Sequence, residues 1–211
     1  MIKRFKMPEN TTLKKRIGTK AKILKVATTL FCELGYRGAS IRKIASAVGI
    51  RESAIYNHYK NKEEIFLEVS RDIFSSPFSA NENETNAMAL KGKAYLSKFT
   101  MQYKLLTFDK SNENMFRLLM IELLQNRELR EQFMTSFHDK NVKELSEGFF
   151  IMMQNNLIRS ADPMTIAYEF LSTLFYIRLQ VTLLRFDNNS TNHLSTMFEK
   201  HVDFFWESIK V

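Results

Sequence analysis

With 211 residues, 45% of them apolar, the chain is long enough to bury a substantial core as one or two domains. Six Gly and three Pro leave little material for the turns of a β-sandwich, no apolar run is long enough for a membrane span, and a single cysteine excludes a disulfide framework or a multi-cysteine zinc site. The net charge of +8 is uneven: residues 1–62 hold 15 Lys/Arg against 3 Asp/Glu, and residues 63–211 hold 16 against 20. So all the excess positive charge lies in the first third, where it reads as an electrostatic footprint for nucleic acid if a binding motif stands beside it. The basic start MIKRFKMPENTT lacks the apolar stretch of a secretory signal, and the chain is expected to be soluble and cytoplasmic, with no membrane partner.

Residues 1–18 read as a flexible basic arm. From Thr19 onward, Ile23, Ala27, Leu30, Phe31 and Leu34 recur at helical spacing, with Gly35 as the stop. Cys32 falls inside that helix as a small, inert thiol. Ser40 is an N-cap, and after it Ile41, Ile44, Ala45 and Val48 lie at i, i+3, i+4 and i+7 on one stripe of a short helix. Gly49 supplies the left-handed residue that ends it. Ala54, Ile55 and Tyr59 form the inward face of a third short helix, Tyr59 as core. Asn61 and Glu64 have the spacing of a capping box and open a fourth helix, expected over 62–75.

The polar stretch 75–86 reads as a linker or loop. Five longer helices are expected near 87–107, 113–125, 127–155, 162–186 and 190–209. Asp162-Pro163 is a strong start signal, because Asp caps and Pro suits the first helical position. The fold class is therefore all-α, with about nine helices: a three-helix helix-turn-helix domain at the N-terminus joined to a larger helical domain.

The segment 40–59, SIRKIASAVGIRESAIYNHY, is organised as a DNA-binding helix-turn-helix. Two short helices meet at a tight turn on Gly49, their apolar faces pack on the 23–34 helix, and the outward face of the second is free to enter a major groove. That face carries Arg51, Ser53, Tyr56, Asn57 and His58, all hydrogen-bonding side chains. With Leu30-Phe31, Leu34-Gly35-Tyr36, Ser40-Ile-Arg-Lys-Ile-Ala, Val48-Gly49-Ile50, Ile55-Tyr56-Asn57-His58-Tyr59 and Lys60-Asn61-Lys62-Glu63 in place, residues 19–66 resemble the TetR family of transcriptional regulators. The resemblance implies DNA-contacting roles for Ser40, Arg42, Arg51, Ser53, Tyr56, Asn57, His58 and Lys62. Arg42 would reach base edges or phosphates, Tyr56 and Lys62 would grip phosphates, and Ser40 would add a phosphate contact to its capping role. Two residues depart from the family pattern: Glu52 puts a carboxylate near the groove, and Arg51 stands where a small capping residue is usual.

The resemblance further implies that residues 67–211 bind a small effector and form a homodimer, through the helices near 162–186 and 190–209, on a palindromic double-stranded DNA operator. The effector is expected to be largely apolar, since the candidate pocket residues are Phe99, Tyr103, Phe116, Met120, Phe137, Met152, Phe175, Tyr176 and Arg178. Buried among apolar neighbours, Arg178 needs a carboxylate, the subunit partner or an anionic ligand. Leu171, Leu174, Phe175, Leu179, Thr182 and Leu183, with Leu194, Met197, Phe198, Val202 and Phe205, are candidates for the four-helix dimer interface. In the alternative reading this region docks a protein partner rather than a small molecule. His193, Met197 and His201 share a helix face, but no third strong ligand lies nearby, so no metal is expected there. No Gly-rich phosphate loop, nucleophile motif or telling carboxylate pair points to an enzyme or to a cofactor.

Overall fold

In the computed structural model, the described residues are 10–71 and 82–211. They divide into two compact units at the Asp72–Ile73 boundary. All regular structure among them is helical, apart from an isolated antiparallel bridge between Ile158 and Lys210. None of these helices is long and apolar enough to cross a membrane.

The first unit contains α1 (Asn10–Gly38), α2 (Ile41–Val48), α3 (Glu52–Ile55) and α4 (Lys62–Arg71). Helix α1 begins earlier than the periodicity suggested, so residues 10–18 of the expected arm are helical, while residues 1–9 lie outside the described residues. The stop expected at Gly35 is a break in α1, with φ 70° and ψ 171° there. Residues 72–75 of the fourth helix and most of the expected 75–86 linker also lie outside the described residues. The core forms where the apolar stripes meet: Ile23, Ala27 and Phe31 of α1 are buried with Ile44, Ala45, Val48, Ile55, Tyr59, Ile65 and Phe66. Tyr59 is thus a core residue, and burial pushes its hydroxyl pKa well up.

The second unit contains α5 (Glu82–Ala89), α6 (Lys93–Phe108), α7 (Lys110–Leu123), α8 (Arg127–Gln132), a π-helical segment (Phe133–Asp139), α9 (Lys140–Gln154), α10 (Pro163–Phe186), α11 (Asn192–Ser195) and α12 (Met197–Ile209). The helix expected as one piece over 127–155 is therefore α8 and α9 joined by π turns, and the one expected over 190–209 is interrupted at Thr196. These divisions, with the short α5, bring the described residues to twelve α-helical segments instead of about nine. Local signals fix the starts. Asp109 accepts from the Asn112 amide at 2.8 Å, Asn126 from Leu129 at 2.9 Å, and Asp162 from Thr165 at 2.9 Å, with Pro163 following. Hydrogen bonds from the Thr165 hydroxyl and amide hold the Asp162 carboxyl below the usual carboxylate range.

Helix α10 packs on α9, α6 and α12. Phe170 lies at the centre of this packing, with ring centroids 5.0 Å from Phe205, 4.9 Å from His201, and 6.2 Å from both Phe99 and Phe149. Its carbonyl accepts from His201 Nε2 at 3.0 Å, which assigns the proton to Nε2 and occupies that nitrogen. Burial depresses the His201 pKa. Several expected interface residues belong to this core: Leu171, Leu174, Leu194, Phe198, Val202 and Phe205 are buried within the chain's own packing. The outward side of α10 is apolar as well, with Tyr168, Tyr176, Leu183 and Phe186 exposed.

Gly148 marks a close helix contact in this unit. A Cβ there would stand 2.7 Å from Cε1, Cζ and the hydroxyl of Tyr95, a buried ring whose hydroxyl donates to the Glu144 carbonyl at 3.1 Å. Overpacking costs about 1–3 kcal/mol, and the better helix propensity of Ala returns about 1 kcal/mol. Gly148→Ala is therefore expected to lower stability by up to about 2 kcal/mol, read as an earlier urea midpoint. A later midpoint would mean that the Tyr95 ring gives way freely.

Candidate nucleic-acid interface

The first unit sorts its side chains by polarity around a turn that the sequence dictates. Ser40 is extended, and its hydroxyl accepts from the Lys43 amide at 3.2 Å, which starts α2. Gly49 has φ 80° and ψ 34°, and its N–H reaches back to the carbonyls of Ala45 and Ser46 at 3.0 and 3.1 Å. The Ile50 N–H also returns to Ala45, at 3.0 Å, which completes the C-terminal cap. A side chain with a Cβ would be strained in that conformation. This turn sets α3 against α2 so that Ile55 points inward while Glu52 and Ser53 stay exposed.

Only Glu52–Ile55 is regular helix, and the chain continues through Tyr56–His58 as turns, with the His58 and Tyr59 amides both donating to the Ile55 carbonyl. Asn57 and His58 therefore sit beyond the regular part of the expected recognition helix. Ser40, Arg42, Arg51, Ser53, Tyr56 and Asn57 are all exposed, and Tyr56 keeps 55% of its surface open despite its size. His58 is half-buried. Arg51 caps α3 by backbone conformation alone, without a side-chain hydrogen bond.

The Glu52 carboxylate lies 3.9 Å from Arg42 Nε. Both groups are largely exposed, so the pair is weak and can open when another anion approaches. That answers the difficulty of a carboxylate near phosphate: Glu52 is directed at a cation of its own.

The positive charge of this unit divides into two sets. Lys20 reaches Glu68 of α4 at 2.9 Å and lies 5.3 Å from the centre of the Tyr59 ring. Lys22 donates to the Val48 carbonyl at 2.9 Å, at the negative end of α2, and Lys43 donates to the Gly38 carbonyl at 2.9 Å. These cations hold the unit together. Lys62 belongs with them: its Nζ donates to the Tyr36 carbonyl at 2.8 Å and sits 4.1 Å from the Tyr36 ring centre. It thus lies at the amino end of α4, where the phosphate role expected of it would be exercised from a fixed ammonium. The capping box beside it forms with a shift of one residue. Asn61 accepts from Glu64 at 2.8 Å, but the Glu64 carboxylate accepts from the Lys60 amide, at 2.6 Å, rather than from Asn61. Arg42, Arg51 and Lys60 are exposed in and beside the helix-turn-helix, as Lys25, Arg37 and Arg71 are elsewhere in the unit, and Lys60 was absent from the sequence-derived contacts because a lysine beside a turn carries no distinguishing spacing.

In the second unit the candidate pocket residues divide among different places. Phe99, Phe116, Tyr103 and Met152 are fully packed, and Tyr176 is 58% exposed. Met120 lines a shallow groove of about 310 Å³ between α7 and α10. Phe175 lines a separate cavity of about 190 Å³ with Phe133, His138, Tyr168, Leu171 and Ser172. The Phe137 side chain lies outside the described residues. The structure brings four of the candidates together: the Arg178 guanidinium lies 4.0 Å from the Phe116 ring centre and 5.7 Å from that of Tyr103, and Phe175 packs edge-on to Phe116 at 5.9 Å. Burial pushes the Tyr103 hydroxyl up to about 12, against the opposing effect of Arg178. Sequence reasoning missed His138 and Tyr168 and did not carry Phe133 into the candidate pocket; Phe133 and His138 come from the π segment and Tyr168 from α10. No group of three or more His, Cys, Asp or Glu gathers as a metal site among the described residues.

Residues 23–69 match the family model of bacterial regulatory proteins of the tetR family. The HTH-type transcriptional repressor KstR2 of Rhodococcus jostii is 34% identical over 79 residues, covering 37% of this chain and 38% of that protein, well under half of the relative's length. Among solved structures, a protein from Mesorhizobium loti assigned to the TetR-family regulators superposes with a TM-score of 0.72 over 93% of this chain and 99% of its own, at 18% identity. A transcriptional regulator from Saccharomonospora viridis, solved with choline, gives 0.69 over 92% and 99% at 19% identity. At those identities the likeness speaks for the fold, and it extends through both units. The helix-turn-helix of residues 23–69 is thus of the kind found in the tetR family of bacterial regulatory proteins.

Proposed function

We propose that this chain is a DNA-binding transcriptional regulator, a repressor that acts as a two-fold dimer and leaves a palindromic operator when a small, largely apolar effector binds its second unit. One observation carries the DNA-binding reading. The helix-turn-helix buries Ile44, Val48, Ile55 and Tyr59 and leaves Ser40, Arg42, Arg51, Ser53, Tyr56 and Asn57 exposed, in the third of the chain that holds all the net positive charge. On this reading, Arg42, Ser53 and Asn57 face base edges, and Tyr56, Lys62 and the Ser40 region fix register on phosphates. Two such units on a two-fold axis would read half-sites about one helical turn apart.

Dimerisation through α10 and α12 is supported by the apolar side chains that the chain leaves uncovered there: Tyr176, Leu183 and Phe186 on α10, and Met197 and Phe204 on α12. A helix apolar on both sides is half-covered by its own chain, and a second copy is the simplest cover for the rest. The ring-lined cavity beside α10 supports a small-molecule effector, as does the neighbour that binds choline. Release requires only that the effector prefer a dimer whose two DNA-binding units are wrongly spaced.

Fluorescence anisotropy of the full chain on its own upstream DNA and on scrambled DNA, at about 150 mM salt, tests the reading. A preference of about 10³ or more for the upstream fragment is expected, with steep weakening as salt rises. Arg42→Ala is expected to weaken specific binding by about 1–3 kcal/mol. Equal binding to both DNAs would remove the operator reading, and an unchanged Arg42→Ala affinity would remove that residue's assignment.

A further inference from the structure

The second unit buries a formal charge that no anion among the described residues neutralises. Arg178 is 2% exposed, and a guanidinium stays protonated in proteins. Its Nη2 donates to the Asn112 amide oxygen, its flat face lies on Phe116, and it lies 5.7 Å from the centre of the Tyr103 ring. All three partners are neutral. Glu113, next to Asn112 on α7, is paired with Arg185 instead. Arg offers five N–H donors in a planar fork, and a carboxylate takes two of them side by side. A buried cation without an anion is costly, so its position calls for an occupant.

The cavity beside α10 lies along the same helix face. Leu171, Phe175 and Arg178 stand at i, i+4 and i+7, so Arg178 follows directly on two of the cavity walls. Phe175 is both a wall of the cavity and the ring packed on Phe116, whose face carries the guanidinium. A volume of about 190 Å³ lined by Phe133, Tyr168 and Phe175 suits one small ring or a short chain.

We propose that this cavity takes a small aromatic or short-chain carboxylic acid, its apolar body among those rings and its carboxylate reaching the Arg178 fork past a displaced Phe175 side chain. The assignment rests on the effector-binding reading of the second unit and narrows it from any apolar molecule to an organic anion.

Calorimetric titration of the full chain with two matched pairs tests this: phenylacetate against phenylacetamide, and hexanoate against hexanamide. The acid of at least one pair is expected to bind tenfold or more tightly than its amide. Arg178→Met is expected to abolish that preference. Arg178→Lys, which keeps the charge and loses the fork, is expected to retain part of it, so a folding defect in one variant leaves the question answerable. No preference for the acid in either pair, or a preference that survives in Arg178→Met, overturns the proposal. Acid binding that depends on Arg178 but leaves operator affinity unchanged upholds the site and refutes effector-driven release instead.

Discussion

Phe31→Ala is expected to abolish specific DNA binding while the second unit stays folded. Phe31 is fully buried, 5.1 Å from Phe66 edge-on and 5.9 Å from Tyr36, so its ring joins α1 to α4 and to the segment after the Gly35 break. Phe→Ala in a packed core costs about 3–5 kcal/mol. A unit of this size has a total stability of only about 3–10 kcal/mol, at 0.05–0.15 kcal/mol per residue. The substitution removes about a third of that or more, and the helix-turn-helix loses the platform against which α2 and α3 are aimed. Hydrogen exchange is the measurement: amides over 23–71 should lose protection while those over 93–209 keep theirs. A variant that still binds the operator as the parent does would show that α2 and α3 hold their angle without the aromatic cluster.

The second large effect belongs to Phe170. Its ring meets Phe99 of α6, Phe149 of α9, and His201 and Phe205 of α12, so truncation removes contact with three helices at once. Phe170→Ala is expected to cost about 3–5 kcal/mol, near the upper part of that range, because four surrounding rings cannot all collapse into one space. The urea midpoint of the second unit should fall accordingly, and operator binding should weaken only as far as dimerisation does. A loss below about 1 kcal/mol would mean that the neighbouring rings repack with ease.

What the sequence disclosed was whatever depends on neighbours a few residues away. The Ser40 cap, the positive φ of Gly49, the buried i, i+3, i+4, i+7 stripe of α2 and the Asp162-Pro163 start are all local, and the structure has each of them. The exposed face of α3 was legible for the same reason, because its complement is a periodic apolar set. Contacts across long sequence separations were not. Nothing near Arg178 in the chain announces Asn112, 66 residues away, and nothing near Lys62 announces the Tyr36 carbonyl. Burial was misassigned on α10 and α12 because a stripe facing the chain's own core and a stripe facing another copy have the same composition. Leu171 and Leu174 are core, whereas Tyr176 and Phe186 remain outside.

The π-helical segment shows how closely backbone phase and cavity shape are bound together. Nine residues separate Phe133 from Val142, about two and a half turns of a regular α-helix, which would leave the two side chains on opposite sides of the rod. Val142, Leu145, Phe149 and Met152 are nevertheless buried, while Phe133 still packs on Phe175 of α10. The wider turns over 133–139 absorb the half-turn mismatch. Tightening them to α-helical pitch would swing either Phe133 away from Phe175 or the apolar face of α9 away from α10. The space beside Phe175 therefore exists because this helix is out of step with itself, and a one-residue deletion there would be felt as a rotation of everything that follows.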